Sequence, residues 1–262
     1  MYKRFSIIML AVALSSCGTP QQKASALEEN KEAKSLLEGI WLDDNTETAL
    51  LRVKGDTLFY AEAATAPVAF KIIGDSWITY GARTNGYKIE KQEEHTFWFH
   101  SAVGDVIRLP KSDRANDSLA FIHTREIPVY NEVIKKDSVV TYDNVRYRGY
   151  VYINPSKIKV MRPGVSEEGL GVDNVYYDNI IHICVYEGRK SLYAKDITKQ
   201  MFKGVVPDDF LQWAILSDMD FMGVDSKGYH YQATVCVPDG ASCYMVNITA
   251  GKDGGLAFEL VR

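Results

Sequence analysis

A chain of 262 residues, 46% hydrophobic and 24% charged, has the composition of an ordinary globular protein and the length for one large domain or two small ones. Disorder throughout is excluded, and so is a bundle of membrane-spanning helices, because no apolar run reaches the roughly 20 residues that a span needs. The net charge of −4 becomes −6 once Lys3 and Arg4, which stand in a leader expected to be removed, are left out. A nucleic-acid partner, which calls for a cationic surplus against phosphate, is not expected.

Lys3-Arg4 is a positive start, Phe5 to Leu14 an apolar stretch, and Leu14-Ser15-Ser16-Cys17 follows at once. This is the layout of a signal peptide over residues 1–16. Ten residues make only about 15 Å of helix, half the hydrocarbon thickness, so the segment suits export and not a permanent span. The tetrapeptide ending in Cys17 resembles the lipobox of bacterial lipoproteins. The resemblance implies cleavage before Cys17, a diacylglycerol thioether on its sulfur and an acylated amine, hence a membrane anchor of several chains. Residues 17–36 then read as the lipidated cysteine and a polar tether, in which Ser25 to Glu28 has capping-box spacing for a solvated helix from about Ala26 to Leu37. Surface-exported lipoproteins of Bacteroidetes carry acids just after the cysteine. Here the first is Glu28, which favours the periplasmic face of the outer membrane over the cell surface.

From residue 37 to about 125, turn signals come every eight to twelve residues between alternating runs, the pattern of antiparallel sheet. Gly55-Asp56, Gly74-Asp75 and Gly104-Asp105 each mark a hairpin. Val68, Phe70 and Ile72 share one face while Ala69 and Lys71 take the other, so one face is packed. The expectation is a mainly β protein whose N-terminal meander of seven or eight strands closes as a small lipocalin-like barrel or folds over as a sandwich. Gly39-Ile40-Trp41 resembles the Gly-x-Trp that opens lipocalin-like barrels, which makes Trp41 a candidate ligand-binding residue at a closed barrel end.

The polar stretch Pro110 to Ser118 is expected to admit proteases and leave two resistant fragments, with a boundary near Arg125. Residues 126–262 read as a second antiparallel β-rich domain with one or two short helices. Pro207 to Leu216 is expected to be helical, with acids at its start and apolar residues at 210, 211, 214 and 215. Asn179 to Glu187 is apolar on both faces and therefore central. Gly223 to Thr249 reads as two hairpins, and Leu256 to Val261 as a last strand. In the second hairpin, Val237 to Ala241 is expected to form a three-residue loop with Gly240 at positive φ. That register would put Cys236 and Cys243 on opposite faces, unable to form a disulfide.

Four segments, Leu37 to Trp41, Arg146 to Asn154, Tyr177 to Ile181 and Pro238 to Tyr244, resemble two-part lipoproteins of Bacteroidales classed as a domain of unknown function. The resemblance supplies no activity and no site residue beyond Cys17.

Serine-nucleophile elbows, phosphate-binding glycine loops, His-Glu-x-x-His and Cys-x-x-Cys are absent, and no cofactor is expected. His182 and Cys184 share a strand face, yet two ligands do not make a metal site, and a core histidine beside a buried thiol is the better reading. Asp218, Asp220 and Gly223 match the start of a calcium loop, but Met222 and Tyr229 stand where oxygen ligands belong, so no metal is expected. Arg146, Arg148, Tyr150 and Tyr152 share one strand face and could meet a glycan or peptide, although tyrosines packed on cross-strand neighbours would give the same pattern. The function expected is that of a lipid-anchored envelope protein acting as a non-catalytic binding or interaction module, for a small apolar ligand, a glycan or a peptide. The alternative is an envelope hydrolase with a site between the domains.

Overall fold

The computed structural model describes residues 28–62, 64–122 and 132–261. Cys17, the leader, the first part of the tether and the expected boundary near Arg125 lie outside these residues. The fold is mainly β, with few and short helices.

Eight strands follow one another as a single antiparallel sheet in chain order: β1 (Gly39–Leu42), β2 (Ala49–Lys54), β3 (Thr57–Tyr60), β4 (Val68–Ile73), β5 (Ser76–Tyr80), β6 (Thr84–Glu93), β7 (Thr96–His100) and β8 (Val106–Pro110). Each of the three Gly-Asp turns joins neighbouring strands, as expected. The sheet curls until its ends meet. Trp41 bridges Lys111, and the Ser112 N–H donates to the Ile40 carbonyl at 2.8 Å, which nearly closes a barrel. Inward positions carry Leu51, Val53, Leu58, Phe70, Ile72, Trp77, Tyr87, Phe97 and Phe99, all buried. Alternation of these with polar residues is what lets one continuous sheet fill its own interior.

Helix α1 (Lys31–Leu36) covers one end. It starts at Asn30, whose side chain accepts from the Ala33 N–H at 2.9 Å, and not at the Ser25 capping box. Nor is it solvated all round. Lys34 and Leu37 are buried, and Lys34 Nζ reaches Glu29 and Asp56, each at 2.6 Å, and the Phe70 carbonyl at 3.0 Å. Burial works against the Lys34 charge, but hydrogen bonds to Asp56 and Glu29 outweigh it and hold the ammonium raised. A lysine with two carboxylates at the barrel floor tied this stretch down where a polar composition read as free tether.

The rest of the chain forms two four-stranded antiparallel sheets around a second core. The first orders as β12–β11–β10–β9, from β9 (Ile134–Tyr142), β10 (Val145–Val165), β11 (Gly171–Glu187) and β12 (Lys190–Ile197). The second orders as β13 (Ile215–Val224), β14 (Gly228–Cys236), β15 (Cys243–Gly251) and β16 (Leu256–Leu260). Between them lie Val151, Ile181, Ile183, Val185, Leu216, Met219, Tyr231, Val235 and Ile248. Asn179 to Glu187 is central, flanked by β10 and β12.

The expected helix over 207–216 is only one turn, α2 (Asp208–Leu211), after which Ile215 already pairs with Cys236. Ala214 and Leu216 alternate inward as strand residues do, and the Leu216 N–H donates to the buried Asp178 carboxylate at 2.8 Å. Apolar residues at 210, 211, 214 and 215 fit a helix locally, and sheet pairing overrides that preference.

The Cys236–Cys243 expectation is also corrected: the two cysteines are directly opposite and disulfide-bonded. The loop between them is longer than a three-residue turn. The Val237 N–H donates to the Ser242 carbonyl, the Gly240 N–H to the Val237 carbonyl, and Asp239, not Gly240, takes positive φ at 49°. Val237 and Ser242 thus extend the ladder, and Pro238 falls inside the turn, where no N–H is required.

Candidate functional site

β10 and β11 are far longer than their neighbours. Residues 145–155 and 179–187 belong to the sheet, and beyond an irregularity between Pro155 and Lys159 the two strands continue as a two-stranded arm, pairing Lys159 with Tyr177 and Val165 with Gly171. The arm crosses to the barrel. Leu170 and Val172 are buried in the barrel core. The Tyr60 hydroxyl donates to the Gly171 carbonyl at 3.0 Å, and the Gly171 N–H donates to the Tyr87 hydroxyl at 2.7 Å. Asp173 is buried, its carbonyl accepting from the Ala66 N–H at 2.8 Å and its carboxylate from the Ala82 N–H at 2.6 Å. Burial raises both tyrosine hydroxyls above their ordinary range, so they stay neutral partners of the arm's backbone.

The arm's tip, Val165 to Gly169, stands between two clefts. The larger, of about 680 Å³, is walled by the β1–β2 loop with Asp43 and Asp44, by Val103, Asp105, Val106 and Arg108 around β8, and by Val165, Glu167 and Glu168 of the tip. The smaller, of about 420 Å³, lies between the same tip residues and Thr48, Leu50, Tyr60 and Glu62. Asp43 is spent on its own loop, accepting from the Asn45 and Thr46 N–H groups at 3.0 and 2.7 Å. Among the described residues no ion pair engages Asp44, Asp105, Glu167 or Glu168. Arg108, the cation of the larger cleft, lies over the Trp98 ring at 4.9 Å. Val103 and Val165 are 76% and 63% exposed. The arrangement offers negative charge beside bare aliphatic surface, on a tip followed directly by the barrel contacts of Leu170 to Asp173. Its lining includes neither histidine nor cysteine.

The residues singled out from the sequence lie elsewhere. Trp41 is fully buried: its indole N–H donates to the Leu37 carbonyl at 2.7 Å, its ring meets Phe97 at 5.8 Å, and Lys111 Nζ lies 5.0 Å from the ring centre. Around it Trp77, Tyr87, Phe97 and Phe99 pack with centroids 4.8 to 5.6 Å apart, so aromatic rings fill the barrel. Arg146, Arg148, Tyr150 and Tyr152 are together on the outer face of β10. There the Arg148 guanidinium lies over the Tyr150 ring at 5.3 Å, and the Tyr152 ring stacks parallel to it at 6.0 Å. Arg148 also pairs with Asp137, Tyr186 meets Tyr150 edge-on, and Tyr152 neighbours His182. These contacts make a ladder of rings and a guanidinium along the strand face. Arg146 is exposed on the same face.

His182 is not the core residue expected: it is half-exposed and pairs with Asp196 at 2.7 Å. Cys184 is buried as expected, which raises its thiol. Asp218 and Asp220 both bind Lys136, at 2.6 and 2.9 Å, where calcium-loop spacing had drawn attention to them. Among the described residues no group of three His, Cys, Asp or Glu side chains is placed to hold a metal ion. The cleft went unread in the sequence because its walls come from residues 43–46, 103–108 and 165–169, joined only by the arm's reach. Its one local signal is Val165-Ser-Glu-Glu-Gly169, a turn with acids and an outward valine.

A family model described as Domain of unknown function (DUF4738) matches residues 114–258, more than half of the chain, and the chain belongs to that family. No curated protein matches it.

Proposed function

We propose that this member of the DUF4738 family is a lipid-anchored envelope protein, held through acylated Cys17 at the periplasmic face of the outer membrane, that works by binding and not by catalysis. The lipobox resemblance at Leu14 to Cys17 and the Bacteroidales resemblance of four segments support the location. The observation that carries the binding reading is the 680 Å³ cleft between barrel and arm, where unpaired carboxylates stand beside exposed valines. Such a lining favours a cationic peptide segment with aliphatic side chains, since opposite charge steers the encounter and the valines supply apolar contact.

The test uses the full-length protein in detergent and two peptide probes of equal length, one of lysine and leucine and one of glutamate and leucine. The lysine probe should bind at least about tenfold tighter at low salt, weaken as salt rises, and lose about three- to tenfold on replacing Glu167 and Glu168 together by Gln. Equal binding of both probes, or indifference to the double replacement, would remove the reading. Metabolic labelling with a fatty acid should be lost in Cys17→Ser, and labelling that persists would remove the anchor.

A further inference from the structure

The disulfide-closed loop is attached to the arm at two points. The Arg162 guanidinium donates to the Pro238 carbonyl at 2.6 Å, and the Tyr176 hydroxyl donates to the Asp239 carboxylate at 2.6 Å. Arg162 belongs to β10 and Tyr176 to β11, within the paired stretch that runs to the barrel. Both arm strands therefore grip one loop, Val237 to Ser242, whose ends Cys236 and Cys243 hold together. Asp239 takes φ 49°, a turn conformation open to Asp, and this aims its carboxylate at Tyr176. Cys243 is exposed and Cys236 half-buried, so a second thiol can approach the bond from solvent.

We propose that Cys236–Cys243 is a thiol–disulfide exchange site acting as a reversible clamp on the arm, with a protein dithiol as its reductant. One thiolate of the reductant attacks the exposed Cys243 sulfur, the S–S bond breaks, and Cys236 departs as thiolate. The reductant's second thiolate then displaces Cys243. Two electrons and two protons pass to the cysteine pair, and the reductant is left as a disulfide. Ser217 fits the direction of this step. Its hydroxyl lies 3.3 Å from the Cys236 sulfur and 2.9 Å from the Thr234 carbonyl, so it can turn from the carbonyl to the departing thiolate. With the clamp open, the loop gains freedom and the bonds to Arg162 and Tyr176 loosen. That this alters the cleft rests on the binding reading above, whereas the clamp itself does not.

Hydrogen exchange followed by mass spectrometry on the full chain, oxidised and then reduced with dithiothreitol, tests it. Amides of residues 159–165 and 171–177 should exchange about tenfold faster after reduction while those of β2 and β7 hold steady, and reoxidation should restore the slow rate. The double variant Cys236→Ser, Cys243→Ser should match the reduced protein. Asp239→Ala should loosen the arm with the disulfide intact. An arm unchanged on reduction, a rise spread evenly over the whole chain, a bond that dithiothreitol leaves untouched in the folded protein, or an Asp239→Ala arm as slow as wild type would each overturn the proposal. If the arm loosens but the lysine–leucine probe never binds, the clamp stands and the binding reading falls.

Discussion

Gly149 of β10 lies directly beneath the ring of Phe221 of β13: a Cβ at position 149 would overlap the ring carbons. The missing side chain lets the two sheets of the second unit approach at this point, with Phe221 itself tilted against Tyr231, ring centroids 5.1 Å apart. Gly149→Ala should destabilise the fold by about 1–3 kcal/mol through overpacking. Urea denaturation measures it, and Phe221→Leu in the same chain should recover part of the loss.

Leu170 has its side chain in the barrel core although it belongs to the arm. Leu170→Ala should cost about 2–5 kcal/mol, as for other buried leucines cut back to a methyl. A nick in the exposed stretch 111–122 should leave two pieces that travel together on gel filtration in the wild type. They should separate when Leu170 and Val172 are both changed to Asp. Wild-type pieces that part on nicking would show that the arm contributes little.

Asp178 and Lys199 are buried together, Oδ2 to Nζ at 3.7 Å, and the same carboxylate accepts from the Leu216 N–H while Lys199 donates to the Ala214 carbonyl. Burial lowers the Lys199 ammonium, with Asp178 opposing the shift. Asp178→Ala strands both the ammonium and the Leu216 N–H and should cost about 3–5 kcal/mol. Asp178→Asn keeps an oxygen for Leu216 and should cost less. Equal losses in thermal melts would mean that the Leu216 bond is not separable from the charge.

Alkaline pH should undo the fold through its tyrosines. Burial raises Tyr60 and Tyr231 above the ordinary value of 10.0. Each keeps its proton in the fold after the unfolded chain has lost it, so the stabilisation is complete below pH 10 and falls as pH rises from there. The slope is about 1.4 kcal/mol per pH unit per tyrosine. Stability measured at pH 9 and pH 11 should differ accordingly, and Tyr60→Phe should make the decline shallower.

What was legible in the sequence is what is local. Val68, Phe70 and Ile72 face inward because a strand repeats every two residues, and the three Gly-Asp turns fix where the meander reverses. Failure began where partners lie far apart in the chain. Ala214 to Leu216 fits a helix until Cys236 and Asp178 claim it. The disulfide register failed for a local reason, since Val237 meets Ser242 and not Ala241 across the turn. The arm left no periodic trace, since Leu170 and Val172 answer to a barrel some hundred residues earlier. Alternation places Arg146, Arg148, Tyr150 and Tyr152 on one face, as the structure has them, but does not say that the rings stack on one another.

The family match begins at residue 114, after the last barrel strand, and yet contains the arm that enters the barrel. Cut to those bounds, the chain would hold Leu170 and Val172 out on a two-stranded stalk with nothing around them, an adhesive tip inviting self-association. In this chain the barrel that precedes the family segment takes up both side chains. The family bounds therefore cut through a core that tip and barrel share.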